Sequence, residues 1–359
     1  MFTRTQTRTL KLGNLALGGG APVSVQTMAN VDPHNAAALS AQLMRCAELG
    51  CEVYRMTVPD AAAAETLGLV RRTSPIPIVA DIHFDYRAAL AALAAGTDAL
   101  RLNPGNIGSR DRVQAVARAA KERHVPIRIG VNLGSLEKGL VAALARHGLS
   151  IPEALVQSAL AHLKLLEDEG FRDVAISAKA SNVADTLATY RLLAERTDCP
   201  LHIGVTEAGT LLPGTVRSSV ALGILLSEGL GDTIRVSLTA EPEKEVRVGL
   251  EILRALGLKS PGPSVTSCPT CGRTRVPVQA VAEQVEEALE RRARALGRKT
   301  YPHIAVMGCA VNGPGEARGA DIALCGGDGE FLIYVKGQPV GKVSQDAAVE
   351  RVMEYAFSL

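Results

Sequence analysis

The chain has 359 residues, of which 47% are apolar and 21% charged, and 39 basic against 37 acidic side chains give a net charge of +2. This length predicts two domains with packed cores, and the balanced charge argues against a general nucleic-acid-binding protein. No apolar run reaches the ~18–20 residues that cross a bilayer. Seven cysteines in a chain without an export signal favour metal or redox chemistry over disulfides, so we expect a cytoplasmic protein.

The amino-terminal segment has no acidic residue before Asp32 and is rich in Thr and basic residues, a composition that is also typical of a transit peptide. However, LKLGNLALGGG (10–20) alternates between apolar and other residues around a turn. This pattern predicts a β-hairpin that leads into the first strand of a sheet. We therefore interpret the segment as part of the fold.

From residue 22 to residue 257, short runs rich in Val and Ile alternate with Ala- and Leu-rich stretches of helical period. The runs are PVSVQTM (22–28), CEVYRMTV (51–58), IPIVADIH (76–83), DALRLNP (98–104), PIRIGVNL (126–133), DVAISAKA (173–180), PLHIGVTE (200–207) and DTIRVSLT (232–239). Each is almost continuously apolar, as strands of a parallel sheet buried on both faces are. Eight βα units in about 240 residues predict a (β/α)8 TIM barrel, with a doubly wound open sheet as the alternative.

The pattern changes after residue 257, where LGLKSPGPSVTS (256–267) predicts a linker. Downstream we expect a small α+β domain with helices in VQAVAEQVEEALERRARAL (278–296) and QDAAVERVMEYAFS (345–358), and strands in HIAVMGC (303–309), ADIALCG (320–326), EFLIYVKG (330–337) and QPVGKVS (338–344). The predicted domains are therefore a substrate-binding barrel over residues 1–260 and a carboxyl-terminal domain over residues 261–359.

In a TIM barrel the carboxyl ends of the strands line the active site. Those positions hold Gln26, Met28, Arg55, Asp81, His83, Arg101, Asn103, Arg128, Asn132, Lys179, Glu207, Arg235 and Ser237. Five of them are cations, which are costly to bury unpaired, and the planar fork of arginine suits phosphate oxygens. We predict a ligand with more than one phosphate group, while a structural salt bridge at the barrel rim is the alternative for any single arginine.

Other candidate residues allow two interpretations. Taken alone, His83 is typical of a structural histidine, and Glu207 is either a general acid–base or a counter-charge for the arginines. The remaining cysteines are expected to be packing residues: Cys46, Cys51, Cys199 and Cys325.

Three cysteines point to a metal centre. Cys268 and Cys271 form a CPTC turn that directs two sulfurs to one point, as in zinc sites and iron–sulfur clusters, and Cys309 follows in GCAVNGPGE. The Gly-Pro-Gly loop turns Glu316 back towards the centre, and a carboxylate is a hard ligand that a substrate oxygen displaces easily. Three thiolates and one weak ligand predict a catalytic cluster with one substrate-accessible iron, whereas closed four-thiolate cages usually serve structure or electron storage.

The motifs VQTMAN, VADIHFDYR, LRLNPGNIG, IRIGVNLGSLE, ISAKAS, GVTEAGT, GDTIRVSLT, CPTCGR and MGCAVNGPGEA run in this order over essentially the whole chain. Together they resemble the 4-hydroxy-3-methylbut-2-enyl diphosphate synthase family of the methylerythritol phosphate pathway. The resemblance implies a TIM barrel followed by a 4Fe–4S domain. It also implies a two-electron reductive ring opening and dehydroxylation of 2-C-methyl-D-erythritol 2,4-cyclodiphosphate.

The resemblance also implies roles for single residues. The cluster ligands would be Cys268, Cys271, Cys309 and Glu316. The diphosphate would be held by Arg55, Arg101, Arg128, Lys179, Arg235 and Ser237, with Asn132, Asp81 and His83 nearby. Glu207 would be the acid–base residue, and Asn312 would approach the substrate from the cluster loop. The family implies a homodimer in which the cluster domain of one subunit caps the barrel of the other, with flavodoxin or ferredoxin as electron donor.

Two positions depart from the family pattern. Asn35 stands where the family usually has Asp, which places the loop contacts near the barrel mouth in question. Leu133 replaces the Ala of the usual VNAGSLE motif, a change expected to adjust packing.

Two other functions fit parts of the pattern. One is a zinc-stabilised barrel enzyme that acts on sugar phosphates without redox chemistry. The other is a non-catalytic iron–sulfur sensor, against which the five convergent cations argue.

Overall fold

The computed structural model describes residues 4–146, 148–260, 262, 264–296, 301–310, 315 and 317–358. The chain divides into two compact units, Met1–Lys259 and Ser260–Leu359. Among the described residues no helix is long and apolar enough to cross a membrane.

The first unit alternates strands and helices. Its strands are β1 (Leu10–Leu12), β2 (Leu15–Leu17), β3 (Ser24–Met28), β4 (Val53–Thr57), β5 (Ile78–Asp81), β6 (Ala99–Leu102), β7 (Ile127–Asn132), β8 (Val174–Lys179), β9 (His202–Ile203) and β10 (Thr233–Ile234). Its helices are α1 (Ala36–Glu48), α2 (Ala61–Thr73), α3 (Tyr86–Ala94), α4 (Pro104–Ile107), α5 (Arg110–Glu122), α6 (Lys138–Arg146), α7 (Ile151–Glu167), α8 (Val183–Arg196), α9 (Leu211–Ser227) and α10 (Pro242–Ala255).

Strands β3 to β10 form one parallel sheet in the order β8-β7-β6-β5-β4-β3-β10-β9. A parallel bridge between Ile176 of β8 and Leu201, just before β9, joins the two ends of this order. The TIM barrel is therefore confirmed over the open sheet. Strands β9 and β10 are shorter than the apolar runs that predicted them. Beyond β8 and β9, however, the backbone segments stay hydrogen-bonded, as the Thr206 N–H donates to the Ala180 carbonyl at 3.0 Å.

The amino-terminal hairpin closes one end of the barrel. Strands β1 and β2 pair antiparallel with Leu10 opposite Leu17, which confirms the predicted hairpin. Its leucines pack in one buried cluster with residues from the first half of four barrel strands, namely Val53, Val79, Ala99 and Ala175. Because this apolar floor seals the amino ends of the strands, the open end of the barrel is the one where the strands finish.

Helix α1 begins at the first departure from the family pattern. Asn35 is its N-cap, and the side-chain oxygen accepts a hydrogen bond from the Ala38 N–H at 3.0 Å. Asn and Asp are about equally good N-caps, so the exchange preserves the start of the helix.

The described residues of the second unit form a five-stranded sheet with two α-helices. Its elements are β11 (Ser264–Ser267), α11 (Val278–Ala295), β12 (His303–Met307), β13 (Ile322–Gly326), β14 (Glu330–Val335), β15 (Gln338–Ser344) and α12 (Ala348–Ser358). The strands lie in sequence order, with β11, β12 and β13 parallel and the last two antiparallel. The prediction of a linker up to residue 267 is wrong at its end, because its last four residues pair with β12 as an edge strand. A run of four residues with two serines and a threonine carries little apolar signal.

We predict that Leu17→Ala will destabilise the barrel, because Leu17 is 3% exposed in the floor and its truncation leaves a cavity. Such changes cost about 2–5 kcal/mol in a packed core. Thermal unfolding should show a lower midpoint than wild type.

The matched control is Leu69→Ala on α2, where the leucine is 53% exposed and the expected change is small. Equal midpoints for the two variants would contradict the assignment of the hairpin as the barrel floor.

Candidate active site

The carboxyl ends of the barrel strands surround a pocket of about 400 Å³. Pockets for small ligands fall in the same range of volume. The lining residues are Arg55, Ile82, His83, Phe84, Arg101, Asn103, Asn106, Gly130, Asn132, Leu133, Gly134, Ser135, Ser181, Thr206 and Glu207. The pocket therefore brings together six side chains singled out from the sequence, and it also includes the departure at Leu133.

A buried carboxylate organises two of the predicted cations. Asp81 accepts hydrogen bonds from Arg55 at 2.8 Å and from Arg101 at 3.2 Å, and its side chain is fully buried. Burial alone would raise the pKa of Asp81, but the charges of the two arginines outweigh it and lower the pKa to about 2. His83 extends the group, with Nε2 3.6 Å from the same carboxylate. Asp81 thus holds both guanidinium groups at the pocket wall.

A missing side chain on β7 lets Arg101 of β6 lie over this neighbouring strand. The Nη2 group of Arg101 donates to the Gly130 carbonyl at 3.1 Å. A Cβ atom on Gly130 would lie only 2.0 Å from Arg101 Nε. Only glycine therefore fits at this position as long as the Arg101 side chain keeps this conformation.

Two further cations are buried in the barrel. Arg128 is 7% exposed and donates to the Gln26 side-chain oxygen at 2.6 Å, while its other terminal nitrogen has no hydrogen-bond partner among the described residues. Burial and the charges of Arg55 and Arg101 lower the pKa of Arg128, yet a guanidinium keeps its proton in proteins. Lys179 is 9% exposed and packs against Gly204, whose Cβ would lie 2.9 Å from its ammonium group.

The fifth cation has a partner that sequence reasoning missed. Arg235 donates to both carboxylate oxygens of Glu245 on α10, at 3.3 and 3.2 Å. Glu245 is 3% exposed and also accepts hydrogen bonds from the Thr27 hydroxyl and the Leu238 N–H. A glutamate among the polar residues of an amphipathic helix gives no sequence signal for this role, because most such residues face solvent.

The loop after β7 forms one wall of the pocket. Ser135 holds Asn132 through bonds of its hydroxyl with the Asn132 N–H and carbonyl, both 3.0 Å. At the end of the loop, Glu137 accepts a bond from Ser158 at 3.1 Å and lies 2.8 Å from the buried His162 of α7. These contacts attach the wall to the helix layer. The pair of Glu137 and His162 was not identified from the sequence. Leu133 lies in the same wall, so its replacement of Ala changes the pocket surface and not packing alone.

Glu207 occupies a strained position at the mouth. Its φ is +52°, in the left-handed region that residues other than glycine seldom adopt, and it lines the pocket. Such strain is common at functional sites. Ser237, another predicted residue, follows β10 by three positions and is partly buried.

The second unit places the three candidate ligand cysteines after the carboxyl ends of its parallel strands. Cys268 follows β11 and Cys309 follows the parallel neighbour β12, while Cys271 lies in the turn after Cys268. The Cys268 sulfur accepts a hydrogen bond from the Gly308 N–H at 3.2 Å, the kind of bond that tunes cluster thiolates. The described residues contain no group of three His, Cys, Asp or Glu side chains arranged to hold a metal ion. Asn312 and Glu316 lie outside the described residues.

The remaining cysteines are buried, which confirms their assignment as packing residues: Cys46, Cys51, Cys199 and Cys325. Burial raises the pKa of Cys46 and Cys51 to about 12 and that of Cys325 to about 11. These thiols therefore stay protonated and unreactive at neutral pH.

Two family models match the chain, the GcpE TIM-barrel domain over residues 7–250 and the GcpE protein C-terminal domain over residues 264–357. Proteins named 4-hydroxy-3-methylbut-2-en-1-yl diphosphate synthase (flavodoxin) are close relatives. The one from Geobacter sulfurreducens is 54% identical over 95% of this chain and 94% of its own length, and the one from Dehalococcoides mccartyi is 48% identical over 100% of both. Among solved structures, Yersinia pestis dihydropteroate synthase matches the fold at a TM-score of 0.50, with 14% identity over 70% of this chain and 100% of that chain.

We predict that Gly130→Ala will weaken the binding of inorganic pyrophosphate at least about tenfold, because the new methyl group displaces Arg101 and would remove the two-pronged phosphate contact that the sequence predicts for it. Titration calorimetry measures the affinity directly. Gly139→Ala on α6 is the control, since nothing lies within 4 Å of a Cβ there. Unchanged affinity in Gly130→Ala would rule out Arg101 as a phosphate ligand.

Proposed function

The chain belongs to the GcpE family and is an oxidoreductase that forms 4-hydroxy-3-methylbut-2-enyl diphosphate in the methylerythritol phosphate pathway, and we propose a division of labour between its two units. In this proposal the barrel binds 2-C-methyl-D-erythritol 2,4-cyclodiphosphate, and the second unit carries a 4Fe–4S cluster with one substrate-accessible iron. The domain boundaries would be those expected from the sequence, residues 1–260 and 261–359.

The observation that carries the proposal is the charge enclosed by the barrel. Five cations surround the interior, and the described residues supply two buried carboxylates to them, Asp81 for Arg55 and Arg101, and Glu245 for Arg235. Two linked phosphoryl groups carry anionic oxygens that would offset the excess. We assign substrate binding to Arg55, Asp81, His83, Arg101, Arg128, Asn132, Lys179, Arg235, Ser237 and Asn312.

The donor set of the second unit fits the proposed cluster. Cys268 and Cys309 follow neighbouring parallel strands, and soft thiolates are the usual ligands of iron–sulfur clusters. The proposed ligands are Cys268, Cys271, Cys309 and Glu316, the last of which would be displaceable. When bound, the cluster would supply the two electrons of the reaction one at a time.

The barrel residues would bind the substrate and supply a proton. The reaction breaks the ring bond between carbon and a diphosphate oxygen, and it releases the hydroxyl oxygen as water. It consumes two electrons and two protons. The arginines would hold the diphosphate as its charge grows, and Glu207, fixed at the mouth by its strained backbone, would give a proton to the departing oxygen.

The electron donor follows from the relatives. The similar proteins carry flavodoxin in their names. We therefore propose flavodoxin as the donor of this chain, with ferredoxin as the alternative. We also propose a cytoplasmic location, because cluster thiols need a reducing compartment.

The proposed homodimer is supported by the outer face of α9. This helix buries Leu222 and Leu225 against the barrel, yet its opposite face carries four exposed apolar residues at steps of four, Leu212, Val216, Val220 and Ile224. A helix that is apolar on all sides is normally covered. Exposed apolar patches mark protein interfaces, and we assign this one to a second copy of the chain.

We predict that anaerobically purified protein contains about four irons and four labile sulfides per chain, and that Cys271→Ser loses most of them together with the visible absorbance. Cys325→Ser is the matched control, because this buried thiol of the same unit is not a proposed ligand. Zinc at one ion per chain, without iron, would instead support the zinc-stabilised enzyme. Turnover of the cyclic diphosphate by iron-free protein would refute the proposed role of the cluster.

We predict that the double variant Val216→Glu, Val220→Glu sediments as a monomer while wild type sediments as a dimer, because two carboxylates on the α9 face cannot be buried unpaired. Leu69→Glu on α2, an isolated leucine that is 53% exposed, should remain dimeric. A double variant with the mass of wild type would place the interface elsewhere.

A further inference from the structure

Lys179 differs from the other barrel cations in its surroundings. Arg55, Arg101 and Arg235 each bind a buried carboxylate, and Arg128 binds the amide oxygen of Gln26. Within the described part of the chain, no side chain forms a hydrogen bond or ion pair with the Lys179 ammonium group. Among the strongest electrostatic influences on it from the described residues there is one carboxylate, Glu245, which Arg235 already binds.

The groups that face Lys179 are mostly positive. They are Arg235 just after β10, Arg55 of β4, Arg128 of β7 and His202 of β9, with Glu245 of α10 as the acid. An ammonium buried among three guanidinium groups is unstable. Arginine cannot release its proton in a protein, whereas lysine can, so Lys179 is the cation of this group that can relieve the repulsion.

We propose that Lys179 is uncharged in the substrate-free enzyme and takes up one proton when the cyclic diphosphate binds. This inference rests on the proposed function, since it needs an anionic ligand in the barrel. Two phosphoryl groups close to the amine reverse the local potential and stabilise the ammonium form. The substrate thereby creates part of its own binding site.

The direction of the pKa shift agrees with this geometry. Burial, followed by the charges of Arg235, Arg55 and Arg128, lowers the pKa of Lys179 well below its usual value. Bound phosphoryl groups raise it again. Between the free-state and bound-state pKa values, binding takes up a proton, and the affinity falls as the pH rises through that window.

His202 is the other group that could accept this proton. It is fully buried on β9, and neither ring nitrogen has a hydrogen-bond partner among the described residues. Burial, followed by the charge of Arg128, lowers the pKa of His202 well below its usual value, so it starts neutral as well. The experiment must therefore separate the lysine from the histidine.

The test is titration calorimetry of the oxidised holoenzyme with the cyclic diphosphate, without reductant, in two buffers of different ionisation enthalpy at one pH. The difference between the two binding heats gives the number of protons taken up. We expect about one proton for wild type. Zero uptake with intact binding would overturn the inference, whereas no binding at all would contradict the proposed function.

Two variants identify the proton acceptor. Lys179→Arg keeps a permanent positive charge, so it should bind the substrate without proton uptake, and its affinity should not change with pH in the window where that of wild type falls. His202→Gln should keep the uptake of wild type. Uptake that persists in Lys179→Arg, or that disappears in His202→Gln, would assign the proton to another group and overturn the proposal. Cluster absorbance and the thermal midpoint show that each variant is folded.

Discussion

The structure depends on positive charge enclosed in a barrel, where the described residues supply two buried carboxylates to five cations. TIM barrels usually fill their interior with layers of branched apolar side chains. Here cations on four strands, and one just after a fifth, occupy part of the interior, and the hairpin of Leu10 and Leu17 closes the barrel beneath them. Water cannot screen these charges from below, so they interact strongly with one another and with any anion that enters from above.

The two buried carboxylates act mainly by orienting the arginines. Asp81 fixes Arg55 and Arg101 on one side, and Glu245 fixes Arg235 on the other. Each guanidinium keeps further donors that point away from its partner. A site whose donors are held before the ligand arrives loses little entropy on binding and needs little reorganisation during reaction. The helix layer contributes to this order, because Glu245 reaches the barrel wall from α10.

The barrel was predictable from the sequence because its signal is repeated eight times. Each strand is an apolar run between turns, and the strand ends showed which polar residues share the mouth, including Arg55, Arg101 and Glu207. The partners were not predictable, because pairing depends on distances across the barrel. Glu245 looks like a surface residue of a helix, and Gly130 like any glycine of a strand, until Arg101 is seen to occupy the space of its missing side chain. Strand β11 was missed because a four-residue run with a single apolar residue, Val265, carries too little pattern to stand out from a linker.

The charge balance also connects binding to chemistry. With Lys179 uncharged, the four arginines exceed the two buried carboxylates by two charges, which matches one charge on each phosphoryl group of a cyclic diphosphate. Opening the ring frees a terminal phosphate that ionises a second time with a pKa of about 6. A proton already taken up by Lys179 supplies the additional positive charge before that negative charge develops. The charge of the barrel would then match that of the ring-opened state better than that of the closed ring. An interaction that becomes stronger along the reaction lowers the activation barrier, whereas an interaction of constant strength only tightens substrate binding.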